Sequence, residues 1–154
     1  SQGAQTHHFP RRVDLVGAAV ERLAGQRVAE LRCLAGDLPP EATERLPALF
    51  DLLWADFSSS MFTVFVKLWV AAADDAELYA RLIRVERRIA RAIAELAHEF
   101  AGELRQTSGW EARMELALSA MRGLALTMQF EPRARGPREV WPAVRAVLLE
   151  SLAP

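Results

Sequence analysis

The sequence predicts an all-α protein, and three observations carry that reading. Alanine and leucine dominate, while isoleucine occurs only at positions 83, 89 and 93, a balance that favours helix over sheet. Apolar residues recur at spacings of three and four along most of the chain, and no segment reads convincingly as a strand. Clusters of Gly, Pro and Ser divide the pattern into six helical segments. With 154 residues, 51% of them hydrophobic and 25% charged, the chain is long enough to bury one core without a disulfide.

The first segment runs from Arg11 to about Ala35, opened by Pro10, which suits a helix start. Its apolar stripe is Val13, Val16, Ala19/Val20, Leu23, Val28, Leu31 and Leu34. Gly36, Pro39 and Pro40 end it. The second, from about Glu41 to Phe57, carries Leu46, Leu49/Phe50, Leu53/Trp54 and Phe57. Pro47 inside it argues for a late start or a kink. The third, from about Ser60 to Ala73, is apolar nearly all round and is expected to be buried on every side.

Asp74-Asp75 suits the cap of a fourth helix, from about Ala76 to Leu104. Its stripe is Leu78/Tyr79, Leu82/Ile83, Ile89, Ile93, Leu96/Ala97 and Phe100. Glu77 and Arg81 form a favourable i,i+4 pair, whereas Arg84 with Arg88 and Arg87 with Arg91 repel. Those arginines face water or meet acids on another element. After the turn Thr107-Ser108-Gly109, a fifth helix spans about Trp110 to Phe130. One face reads Trp110, Met114, Leu118, Met121, Leu124/Ala125 and Met128; the other carries Leu116, Ala120, Gly123 and Thr127. Two such faces imply two packing partners. A loop over 131–137 leads to the last helix, about Arg138 to Leu152, with Val140/Trp141, Val144 and Val147/Leu148.

Charge and cysteine usage exclude several classes. A formal net charge of -1 gives no overall positive field toward nucleic acid or acidic lipid. One cysteine, Cys33, cannot form an internal disulfide, and three histidines without Cys-x-x-Cys leave little for a metal. No apolar run reaches the roughly 18 residues of a membrane span, and the beginning lacks the layout of a signal peptide. A cytoplasmic setting without membrane contact is expected. No Ser-His-Asp order, Cys-His pair or Gly-rich phosphate loop supports catalysis, and no cofactor is implied.

The aromatic residues Trp54, Phe57, Phe62, Phe65, Trp69 and Tyr79 concentrate in about 25 residues. They are either ordinary core or the lining of a cavity for a small, mostly apolar effector, with Met121 as an adaptable wall. Ser58, Ser59, Ser60, Thr63 and Glu86 are candidate polar contacts, against a loop for the serines and a surface salt bridge for Glu86. Lys67 either snorkels to water or meets an anionic ligand, and His98 reads as a surface residue. Leu116, Ala120, Gly123 and Thr127, with Val140, Val144 and Val147 on the last helix, suit the face of a homodimer, since small residues let helices approach closely.

The segment Gly3-Ala4-Gln5-Thr6-His7-His8-Phe9-Pro10-Arg11-Arg12 resembles the junction between recognition helix and fourth helix in TetR-type transcriptional regulators. The pattern there is a small residue, two of any kind, Tyr, any, His-Phe, two of any kind and Lys. Gly3, His8 and Phe9 match, and Pro10 suits the start of the helix that follows; Thr6 stands where an aromatic is usual, and Arg12 where a lysine is usual. The resemblance implies that 1–10 is the remnant of a helix-turn-helix domain, with Thr6, His7 and Arg12 facing an operator, and that 11–154 is an effector-binding and dimerisation domain. It further implies a cavity between the middle helices and a four-helix dimer bundle built from the last two. The whole protein would then be a ligand-responsive regulator, a repressor by family habit. The alternative is a helical module that binds a lipid-like molecule or a peptide with no DNA role.

Overall fold

The computed structural model describes residues 12–130 and 137–152, and its α-helices begin and end where the sequence places its caps and breakers. In chain order they are α1 (Arg12–Gly36), α2 (Ala42–Phe57), α3 (Ser60–Ala71), α4 (Ala76–Phe100), α5 (Trp110–Phe130) and α6 (Pro137–Leu152). A single 3-10 turn, Gly102–Gln106, follows α4. Among the described residues there is no strand, so the class is all-α.

The local chemistry of the boundaries is explicit. Ser59 caps α3, its hydroxyl accepting from the Phe62 amide at 3.2 Å. Asp75 caps α4 and accepts from the amides of Glu77 and Leu78 at 3.1 and 2.9 Å. The fourth helix stops at Phe100, earlier than the apolar pattern through Leu104 suggests. Gly102 is the reason: its φ of 57° is the left-handed turn that ends helices, after which the chain continues in the tighter 3-10 form. Pro47 does not delay α2. It sits in the second turn, where its missing N–H forfeits one bond near the helix end. Arg45 ties the helix start to the preceding loop by donating to the carbonyls of Pro39 and Pro40.

Packing is organised round α2, which touches each of the other five helices and holds the fully buried Leu49, Phe50 and Leu53. The longest partnership joins α1 to α4, side by side and parallel. Arg81 reaches Asp14 at 2.5 Å, Arg88 donates to the Glu21 carbonyl at 2.8 Å, and Arg32 meets Glu95 at 2.7 Å. The hydrogen bond to Asp14, then that to Glu77, pushes the Arg81 guanidinium above its ordinary pKa and keeps it charged. The four arginines expected to face water or meet acids elsewhere, Arg84, Arg87, Arg88 and Arg91, are all exposed, and Arg88 bonds a backbone carbonyl rather than an acid. At the other end, Trp141 of α6 stacks on Trp54 of α2, ring centroids 4.7 Å apart and nearly parallel. The Trp141 indole donates to Asp51 at 2.8 Å, and Arg145 pairs with the same carboxylate at 2.9 Å.

Two expectations of burial need correction. The inward face of α1 is Val20, Ala24, Arg27, Leu31 and Ala35, while Leu15 and Leu34 are exposed, so the buried line lies to one side of the apolar stripe. The fold admits a charged residue on that line because Asp56 neutralises it. Nor is α3 buried on every side. Phe62 and Phe65 are inside, but Val64 is exposed and Val70 is 73% exposed. Apolar composition favours burial, yet the helices around α3 cover only one side of it. No single described helix is long and apolar enough to cross a membrane; α2 and α3 reach that composition only as a pair bent by 56°.

Candidate functional site

Ser59 starts α3 in a register that turns Phe62, Phe65, Val66 and Trp69 toward α4 and α5, an i, i+3, i+4, i+7 face. With Phe57 at the end of α2 they form the aromatic wall of a partly open cavity of about 210 Å³. Ile89, Ala90, Ile93 and Ala94 of α4 make the opposite wall, and Leu118 of α5 adds to it. The alanines leave room that longer side chains on the same face would fill. Phe57 and Phe62 meet edge to face, centroids 5.6 Å apart.

Four charged side chains interrupt this lining: Arg27 from α1, Glu86 from α4, and Glu115 and Arg122 from α5. Arg27 is only 5% exposed. Its Nε donates to both carboxylate oxygens of Asp56, at 2.9 and 3.0 Å, and its Nη2 donates to Oδ2. Its guanidinium carbon lies 5.5 Å from the Phe65 ring centre and 5.9 Å from that of Phe57. Arg122 holds looser partners, Glu86 at 3.4 Å and Glu115 at 3.5 Å, and lies 6.0 Å from the Phe57 ring centre. Arginine and carboxylate thus alternate around an apolar space, the usual composition of a small-molecule site. Among the described residues no three His, Cys, Asp or Glu side chains gather to hold a metal.

Of the aromatic and polar residues expected to bind a ligand, Phe57, Phe62, Phe65, Trp69 and Glu86 come together on this cavity. Three others do not line it. Trp54 does not border it and instead carries Trp141 stacked on its ring. Tyr79 is 48% exposed and packs edge to face on Trp69, at 5.5 Å, from outside. Met121 is fully buried in the core. Glu86 does form a salt bridge, to Arg122, and the pair is half-buried at the edge of the cavity. Ser59 is a helix cap, and Thr63 donates to the Ser59 carbonyl at 3.4 Å. Lys67 and His98 are exposed.

Sequence reasoning missed Arg27, Asp56 and Arg122. One signal was present: Arg27 interrupts the spacing Val20, Ala24, Leu31, Ala35, and a charge on such a line has a buried partner. The partner's identity was not readable.

The residues expected at a dimer face share the outer surface of α5 and α6. Leu116 and Val147 are 62% and 64% exposed, and Gly123 and Thr127 are exposed as well. Ala120, Val140 and Val144 are half-buried. A Cβ at Gly123 meets nothing within 4 Å, so nothing inside the chain requires glycine there. Between this surface and α3 lies an open groove of about 410 Å³, lined by Val70, Gly123 and Leu126 and sharing Phe62, Val66, Trp69 and Arg122 with the cavity. Thr6 and His7, expected to face DNA, lie outside the described residues, as do the rest of the 1–10 segment and the side chain of Arg12. Compared with protein-family models, curated proteins and solved structures, the chain matches none.

Proposed function

We propose that this chain is the effector-binding and dimerisation part of a ligand-responsive transcriptional regulator of the TetR type, a repressor that releases its operator when a small, mostly apolar molecule enters the cavity. One observation carries most of the weight: the cavity is lined partly by α1, through Arg27. That helix follows directly on the segment whose sequence resembles the end of a recognition helix. A ligand that contacts α1 changes the energy of the helix closest to the DNA-facing segment. Effector and operator then oppose each other by linkage. Gly123 supports the dimer: an exposed glycine inside a helix costs about 1 kcal/mol against alanine, and close approach of a second copy gives it a purpose.

The coding sequence upstream of Ser1 tests the DNA role. A helix-turn-helix encoded there is the expected result. An initiator methionine directly before Ser1 removes the regulator reading. Gly123→Arg tests the dimer, with a monomer expected by light scattering; an unchanged dimer takes that face out of the interface. Trp69→Ala tests the pocket, and a variant that still responds normally to an effector overturns its placement. The second reading, a helical binding module without DNA, rests on the open apolar groove between α3 and α5, which suits an apolar partner.

A further inference from the structure

We infer that the cavity takes an uncharged aromatic molecule bearing a hydroxyl or amide group, which accepts a hydrogen bond from Arg27 and donates one to Glu86. The inference rests on the reading of this cavity as the effector site and goes on to its chemistry. The walls fix the body of the ligand: four aromatic side chains on one side and small aliphatic ones on the other leave a narrow apolar space. Its volume of about 210 Å³ suits a ring system of one or two rings.

Charge decides the rest. Arg27 is paired with Asp56 behind the wall and Arg122 with Glu86, so this set of two pairs is neutral before any ligand enters; Glu115, the remaining charged side chain of the lining, reaches Arg122 from the open rim. Glu115, 69% exposed, and the exposed arginines Arg87 and Arg91 of α4 stand at the surface, where water and salt screen them. A carboxylate or an ammonium entering between the aromatic and aliphatic walls leaves an uncompensated ion there, with a desolvation cost that neutral ligands avoid. A cation is disfavoured for a second reason, because guanidinium groups already lie over the faces of Phe57 and Phe65.

Uncommitted hydrogen-bonding atoms supply the orientation. Arg27 engages Nε and Nη2 with Asp56, and its Nη1 makes no hydrogen bond among the described residues. Among the described residues no side-chain nitrogen or oxygen is both sealed from solvent and unpartnered, so this nitrogen keeps contact with solvent. Arg27 lines both the cavity and, together with Asp56, a separate hollow beside α1. Glu86 accepts from Arg122 through Oε1, and its Oε2 has no partner among the described residues. Arg27 and Glu86 both border the cavity, so one donor and one acceptor remain on residues of its lining.

Calorimetry of the full chain with three probes of matched shape tests this at pH 7: 2-naphthol, 2-naphthoate and 2-naphthylmethylammonium. The expected result is that 2-naphthol binds about tenfold or more tighter than either ion. Substitution Glu86→Gln leaves the set one unit positive, and naphthoate then overtakes naphthol. Leu118→Trp, which fills the cavity, abolishes binding of all three while circular dichroism stays helical. Tighter binding of naphthoate or of the ammonium to the unaltered protein overturns the neutral-ligand inference and leaves the cavity standing as a site. Absence of binding by all three at millimolar concentration overturns both the inference and the cavity as a ligand site. Equal binding of 2-methoxynaphthalene, which cannot donate, removes the Glu86 contact.

Discussion

Replacing Arg27 with methionine tests whether the charged pair between α1 and α2 is truly shielded. The guanidinium is 5% exposed and the Asp56 carboxylate 11%. Taking away one partner of such a pair strands the other, at about 3–5 kcal/mol. Asp56 keeps some contact with water, which places this part near 3 kcal/mol. The contacts of Arg27 with Phe57 and Phe65 add about 0.5–1 kcal/mol each. Methionine replaces part of the aliphatic packing, so the sum is about 4 kcal/mol, or a fall of roughly 10–15 °C in Tm for a chain of this size. Urea unfolding followed by circular dichroism gives the free energy, and calorimetry gives Tm. The double variant Arg27→Met, Asp56→Leu is expected within about 1 kcal/mol of the unaltered protein, because an apolar pair of similar volume replaces the ions without a desolvation cost. A loss below about 1 kcal/mol for the single variant, or a double variant whose loss equals the sum of the singles, refutes the shielded-pair argument.

Other expectations follow from particular contacts. Gly25→Ala stabilises the protein by about 0.5–1 kcal/mol in the same unfolding assay, since the new methyl meets only Arg88 Nη2 at 3.8 Å. Gly17→Ala gains less: its methyl stands 2.5 Å from Arg81 Nη1, and the arginine must withdraw from Asp14. The reverse order counts against the α1–α4 packing. Asp75→Ala costs about 1 kcal/mol by removing the cap of α4, whereas Asp75→Asn retains most of it; equal losses rule the cap out. Trp141→Ala costs about 3–5 kcal/mol through the lost stack and the cavity left beside Trp54, and Trp141→Phe costs about 1–2 kcal/mol through the lost bond to Asp51. A Phe variant as damaged as the Ala variant shows that the indole N–H outweighs the stack.

The helices were legible because a period near 3.6 is written into each segment and the caps are local. Ser59 and Asp75 act within three residues of themselves. Gly102 was legible in principle, but its meaning as a terminator depends on a positive φ that competes with the apolar pattern continuing to Leu104. The aromatic wall was half legible. Phe62, Phe65 and Trp69 lie within two turns of one helix, so their spacing sets their common direction, whereas Phe57 joins them from the end of α2 across a bend. Trp54 belongs to the same stretch, but its neighbour Trp141 comes from a helix nearly 90 residues later.

The sequence by itself determined the helical class, the bounds of five of the six helices to within a residue or two, and the concentration of aromatic residues at the end of α2 and along α3. Each of these depends on residues close together in the chain, where propensity, capping and periodicity act. Only the tertiary structure decided which side of α1 turns inward, that Arg27 is neutralised by Asp56 across 29 positions, that Arg122 holds Glu86 across 36, and that α3 keeps an uncovered apolar side. Burial and charge pairing depend on what lies opposite, and that is fixed by the packing of whole helices rather than by any one segment.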